Sequence, residues 1–237
     1  MASKGLRRGN GDRGTCTTVR VRWRRCHRAA HSDIGAIPSK DVFIREASAV
    51  PAYKNSADVA RFILLAAYHD AVAEPGDTGL IVKGKRAVSP CLTYDGFRDD
   101  RNLSLEHIAP QDQSSSNTWD AAIYANKEIV HRLGNLVFVP KVANSSLSSR
   151  PWQQKRVLYK ALGAASHSDA EKVLVEAKSN EGVEFGDSTQ EIVSSSKHLP
   201  QVAALGSHAS NWDTGFIEYR SARILGLAWD ELQSWLQ

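Results

Sequence analysis

The spacing of apolar and polar positions changes along the chain, and with it the elements to be expected. Residues 1–38 show no apolar period of 2 or 3.6 and are rich in Gly, Arg and Ser, so no packed element is predicted there. From Ser56 the pattern turns helical: a Ser cap is followed by Val59, Phe62, Ile63, Ala66 and Ala67 on one face, and Pro75-Gly76 stops the run. Short β-type runs follow between Gly, Pro and Asp turns: Leu80-Ile81-Val82, Leu92-Thr93-Tyr94 and Leu103-Ser104-Leu105. The last of these extends as a strand to Ile108 and so carries Glu106 and His107. Thr118 then caps a predicted helix with Trp119, Ile123, Val130 and Leu133 at helical spacing and Gly134 as its C-terminal cap. Leu136-Val137-Phe138-Val139 is a strand ended by Pro140. A helix begins with Pro151 at its first position and turns Trp152, Leu158 and Leu162 inward. Ser168 with Glu171 and Asp187 with Gln190 read as capping boxes, and apolar faces from Phe216 to Leu236 close the core.

The expectation is an α+β, mostly helical domain over residues 39–237, with strand, loop, strand and helix over about 101–163 flanked by helices over 56–74 and 168–237. No internal repeat is present. At 42% hydrophobic and 24% charged residues, the 237-residue chain has ordinary globular usage. No run reaches the ~18 apolar residues of a membrane span, and none behind the first residues forms a signal peptide, so a cytoplasmic protein without membrane partners is expected. The three cysteines, Cys16, Cys26 and Cys91, form no C-x-x-C pair. They are read as free thiols, which excludes a disulfide framework and a purely structural zinc module.

Charge sharpens the picture once it is placed. Residues 1–30 carry nine Lys/Arg against Asp12, or +8, so the rest of a chain of net charge +4 sums to −4. Within that acidic body, residues 125–160 hold seven Lys/Arg against Glu128 alone, a local +6. A polyanion is expected to dock there. The basic tail either adds unspecific nucleic-acid affinity or is solvated chain, or the reading frame starts later.

Four polar residues stand at the junctions of the strand–strand–helix segment: Glu106 and His107 on the first strand, Asn135 at the entry to the second, and Asn144 before the helix. Phosphodiester hydrolysis needs a base that titrates near neutrality and a hard cation to stabilise the leaving oxygen. Histidine, with an ordinary pKa of ~6.5, suits the first need. Glu106 and Asn144 offer oxygen ligands for the second. Singly these signals are weak: Asn after Gly is commonly turn chemistry, and a lone Glu-His pair is commonly surface decoration.

Taken in order, the runs L-S-L-E-H-I-A-P-Q (103–111), H-R-L-G-N-L-V-F-V-P (131–140) and N-S-S-L-S-S-R-P-W-Q-Q-K (144–155) resemble the C-terminal domain of GmrSD-type modification-dependent restriction endonucleases. W-D-T-G-F-I-E-Y-R-S-A-R (212–223) resembles the closing helix of that family, and the likeness covers about 55–237. The resemblance implies an HNH (His-Me finger) fold with a ββα-metal core and a metal-dependent DNA endonuclease. It implies His107 as general base, Asn135 as the brace that orients it, and Glu106 and Asn144 as metal ligands. It further implies Arg150 and Lys155, at basic positions of the family's helix, as nucleic-acid contacts, with a solvated, exposed basic helix face as the alternative. The oxygen-rich ligands favour Mg²⁺ or Mn²⁺, and a nearby imidazole also admits Zn²⁺ or Ni²⁺. His131, at the end of the predicted helix, is assigned to the helix dipole rather than to catalysis. No G-x-x-x-x-G-K-[ST] loop is present, so the nucleotide-dependent recognition domain of the full-length family is expected on a separate subunit or domain. The alternative is a remnant that binds DNA or a protein without cutting.

Overall fold

The computed structural model describes residues 37–113, 119–195 and 199–236. The expectations for the basic tail, for Cys16 and Cys26 and for the Thr118 cap lie outside the described residues. Residues 37–39 have no regular structure, and all elements below belong to the unit Lys40–Gln237.

The domain is α+β and mostly helical. It contains α1 (Lys40–Ala47), α2 (Ala52–Asn55) and α3 (Ala57–Tyr68), then the strands β1 (Ala71–Ala73) and β2 (Ile81–Lys83). Next come α4 (Tyr94–Arg98), β3 (Ser104–His107), α5 (Ala122–Ala125) and β4 (Leu136–Val139), followed by α6 (Lys141–Leu147) and α7 (Trp152–Leu162). α8 (His167–Glu176), α9 (Asp187–Ser195), α10 (Pro200–Gly206) and the long α11 (Thr214–Leu236) complete it. Among the described residues, no helix is long and apolar enough to cross a membrane.

Two antiparallel pairs, β1–β2 and β3–β4, form the sheets. In the second, Glu106 lies opposite Val137 and His107 opposite Leu136. β4 is buried on both sides, which is why its sequence is an unbroken apolar run rather than an alternation. Val137 and Val139 enter one core with Leu158, Leu162, Leu205 and Trp212, whereas Leu136 and Phe138 enter a second with Leu64, Leu65, Ile224 and Leu225. The strand pair is therefore a partition between two cores, and any side chain on β3 faces one or the other.

Several expectations shift. Ser56 does cap α3, accepting from the Val59 amide, but the buried stripe is Ala60, Leu64, Leu65, Ala66, Ala67 and Tyr68. Val59 and Phe62, expected to face inward, are exposed. α3 also ends at Tyr68, well before Pro75, because Asp70 turns the chain with φ 54° and the segment that follows pairs as β1 with β2. Leu92-Thr93-Tyr94 is no strand: the Thr93 hydroxyl accepts from the Gly96 amide and starts α4. The helix expected over 118–133 is broken into α5 and two 3₁₀ turns, Ile129–His131 and Leu133–Asn135. Asp120 accepts from the Ala122 amide and Asn126 from the Glu128 amide, so each side chain offers the backbone a turn in competition with the helix. Ser166, not Ser168, caps α8; Asp187 lies in the first turn of α9; and Pro151 stands just ahead of α7 rather than inside it.

Candidate functional site

β3 alternates, so Glu106 and His107, adjacent in sequence, point to opposite faces of the strand pair. Glu106 is 5% exposed on the side of α7, where Lys155 Nζ donates to its Oε1 at 2.5 Å and to the His107 carbonyl oxygen at 3.0 Å. Burial dominates this pair. It pushes the Glu106 carboxyl up to about 7 against the opposing pull of Lys155, and it pushes the Lys155 ammonium down. Tyr159 of α7 is also fully buried, and its phenol is pushed well above its ordinary value by burial and by the nearby Glu106. Its hydroxyl has no hydrogen-bond partner among the described residues.

On the other face His107 is 7% exposed, its Nε2 3.3 Å from Nδ1 of His131. Tyr53 of α2 meets the His107 ring edge-on, with centroids 4.5 Å apart, and stacks on His131 at 5.9 Å. Burial first, then His131 and Lys155, lower the His107 pKa to about 3. The ring is neutral at physiological pH and keeps a lone pair. The half-buried His131 is likewise lowered, by burial and by Lys54, with Glu128 opposing.

Asn135 is fully buried, and its side chain closes the loop between the strands. Its Oδ1 accepts from the Ala109 amide at 2.8 Å and from Trp212 Nε1 at 3.1 Å, and its Nδ2 donates to the Ala109 and Val130 carbonyls at 2.9 and 2.8 Å. All four bonding positions of the amide are used. The chain two residues beyond His107 is thereby fixed to the turn that carries His131. The turn is fixed in its own right by α11: Ser221 Oγ accepts from the Gly134 amide, and Arg220 donates to the Gly134 and Leu136 carbonyls and to the Tyr68 hydroxyl. A Cβ on Gly134 would stand 1.9 Å from the Ile217 carbonyl oxygen, so only glycine permits this approach. Trp212, Arg220 and Ser221 thus explain the run 212–223 as a clamp on the Gly134-Asn135 turn. The resemblance placed these residues only in a closing helix.

Asn144 lies ahead of α7 as expected, but within α6, a short helix that the sequence did not predict. Its Nδ2 donates to Ser104 Oγ at 2.8 Å and to the Leu105 carbonyl at 3.3 Å, which leaves its carbonyl oxygen for another partner. It borders an open groove of about 730 Å³ lined also by Tyr53, Arg61, Ser104 and Lys141. The four expected residues thus gather around one strand pair, on two faces, each with its own partners.

The two expected nucleic-acid contacts differ from the picture of an exposed basic helix face. Lys155 is fully buried against Glu106. Arg150 donates to the Ser146 carbonyl, to Gln154 and to Thr189, and lies 5.4 Å over the Phe185 ring. Of the other basic residues in 125–160, Arg156 pairs with Glu181 and the exposed Lys160 with Glu176, and Lys127 and Lys141 are exposed as well.

Among the described residues, no three or more His, Cys, Asp and Glu side chains form a metal cluster. A hard cation of the Mg²⁺ kind takes one or two protein oxygens and keeps several waters, so it requires no such cluster, and the oxygen donors of Glu106 and Asn144 are of the chemical kind it takes.

The chain matches no curated protein. Residues 37–225 match the family model described as GmrSD restriction endonucleases, C-terminal domain. This match spans most of the chain, including every element from α1 into α11 that builds the site, and the protein belongs to that family of restriction endonuclease domains.

Proposed function

We propose that the domain is a metal-dependent DNA endonuclease of the HNH (His-Me finger) type, with β3, β4 and the helix that follows as its ββα-metal core. The observation that carries this reading is His107, a neutral imidazole held on a strand end by an asparagine-braced loop, with a buried carboxylate next to it in sequence. Burial keeps the ring unprotonated, and a phosphate arriving beside it brings negative charge that raises its basicity toward the working pH. His107 takes a proton from water, the hydroxide attacks phosphorus in line, and the bond from phosphorus to the 3′ oxygen breaks. Glu106 and Asn144 are the residues that would hold Mg²⁺ or Mn²⁺, with Zn²⁺ or Ni²⁺ as softer alternatives. Such an ion supplies Lewis-acid stabilisation of the charge on the departing oxygen. Asn135 keeps His107 in place through the Ala109 backbone. The family's description as a C-terminal domain supports a separate domain or subunit that selects the DNA, and the cytoplasm is the compartment where such an enzyme meets it.

Cleavage of unmodified and modified plasmid with Mg²⁺ or Mn²⁺ tests this, beside His107→Ala and an EDTA control. Metal-dependent nicking absent from the variant is expected; cleavage retained by His107→Ala would overturn the assignment of the base. One observation favours a second reading, a binding domain that does not cut: Lys155 already occupies one Glu106 oxygen, as in a structural ion pair. Divalent binding lost in Glu106→Ala supports the enzyme, and salt-sensitive DNA binding indifferent to chelator supports the second reading.

A further inference from the structure

His131 lies 24 positions from His107 in sequence, on a different element, yet its Nδ1 is the atom that faces His107 Nε2, at 3.3 Å. The two rings stand nearly perpendicular, at 86° with centroids 5.4 Å apart, and Tyr53 packs on both. The turn that carries His131 is itself fixed, because Asn135 Nδ2 donates to the Val130 carbonyl next to it. On its main-chain side His107 is fixed by Lys155, which donates to its carbonyl oxygen. The His107 ring is therefore constrained in orientation, and among the described residues its side-chain hydrogen bond runs to another imidazole.

A contact between two neutral imidazoles has two arrangements, since each ring carries one proton and one lone pair. If His131 donates from Nδ1, His107 Nε2 accepts and the His107 proton sits on Nδ1, so no lone pair remains for water. If His107 donates from Nε2, His131 Nδ1 accepts and the His107 Nδ1 lone pair is left open. Only the second arrangement leaves a base.

We propose that His131 is a positioning residue that accepts from His107 Nε2–H and so fixes His107 in the tautomer whose Nδ1 lone pair is available to a water. It occupies the role that a carboxylate or carbonyl commonly fills behind a catalytic histidine, that of setting which ring nitrogen carries the proton. The choice of donor between the two rings, and its consequence for the reaction, rest on the nuclease reading above; the 3.3 Å contact itself does not.

Long-range ¹H–¹⁵N spectra of the full chain at pH 7, without DNA or metal, read the tautomer directly, with His107→Ala assigning the signals. The wild type is expected to show a protonated Nε2 and a bare Nδ1 at His107. His131→Ala should turn these into an exchange-averaged mixture, and His131→Asn, whose amide oxygen stands near the place of Nδ1, should restore them. In the cleavage assay His131→Ala should lower kcat by roughly 10–100-fold, the usual effect of removing a partner that orients a functional side chain, with KM little changed and most of the loss recovered in His131→Asn. A proton on Nδ1 in the wild type would overturn the proposal, even if the alanine variant failed to fold; so would an unaltered tautomer in a folded His131→Ala. Cleavage that survives in His107→Ala would refute the nuclease reading and leave the tautomer result standing.

Discussion

At the scale of single residues, burial rather than charge pairing sets the chemistry, and it acts on the two neighbours in opposite senses. His107 is held neutral down to about pH 3, whereas in the unfolded chain it is protonated below ~6.5. The unfolded state thus binds the extra proton between those values, and the contribution of His107 to stability grows as pH rises from 3 to 6.5. Glu106 does the reverse: its carboxyl, raised to about 7 in the folded state from an ordinary 4.5, favours the fold below 4.5 and loses that contribution as pH rises to 7. The two effects oppose each other between 4.5 and 6.5. In thermal unfolding from pH 3 to 8, the gap between the wild type and His107→Ala should therefore widen in favour of the wild type up to about 6.5 and then level off. Asn135 is the other decisive residue. Asn135→Ala strands the Ala109 amide and carbonyl, the Val130 carbonyl and the Trp212 indole, which predicts a loss of about 3–5 kcal/mol in denaturant unfolding.

At the scale of elements, β3 is tied to α7 by Lys155 and to α6 by Asn144, and the turn before β4 is tied to α11. Lys155→Met removes a donor from a buried carboxylate, and breaking such a pair costs about 3–5 kcal/mol while the remaining group stays charged. Glu106 escapes that cost by protonation, so the variant should be much more destabilised at pH 8.5 than at pH 5.5, measured by chemical denaturation at the two pH values. The contact of α11 with the turn is steric. Gly134→Ala places a carbon against the Ile217 carbonyl and must displace either the turn or the helix, at about 3 kcal/mol or more; the thermal midpoint checks this, and an unchanged midpoint would show that the helix yields freely.

At the scale of the whole molecule, part of the basic excess of residues 125–160 is taken up by carboxylates: Lys155 by the buried Glu106, Arg156 by the partly exposed Glu181, and Lys160 by Glu176 on the surface. Of the exposed members, Lys127, Lys141 and Lys160, only Lys160 has a carboxylate partner among the described residues, and Lys141 borders the groove beside Asn144, which makes Lys141 the first to test for contact with DNA. Each phosphate contact contributes about one unit to the slope of log affinity against log salt. Lys141→Ala should thus reduce that slope by about 1, whereas Lys160→Ala, already paired with Glu176, should leave it nearly unchanged; fluorescence anisotropy over a salt series reads both.

The order E-H, N and N, with the strand run at 136–139 and the helix after Pro151, was legible in the sequence because each signal is local: capping, turn chemistry or an apolar run. The α+β class followed from the same local signals, and the family from the resemblance of the runs 103–111, 131–140 and 144–155 to it. The sequence did not show which face each residue takes. Val59 and Phe62 have the spacing of a core face, but the neighbours of α3 cover the adjacent stripe instead. Lys155 has the composition of a phosphate contact, but the partition formed by β3 and β4 encloses it with Glu106. His131 has the position of a helix-end cation, but the loop braced by Asn135 carries it to His107. Local interactions along the chain determined which residue types are present and in what order. Pairing across long separations, between 106 and 155, 107 and 131, or 135 and 212, was decided only by the tertiary structure, because burial and hydrogen bonding between distant segments leave no period in the sequence.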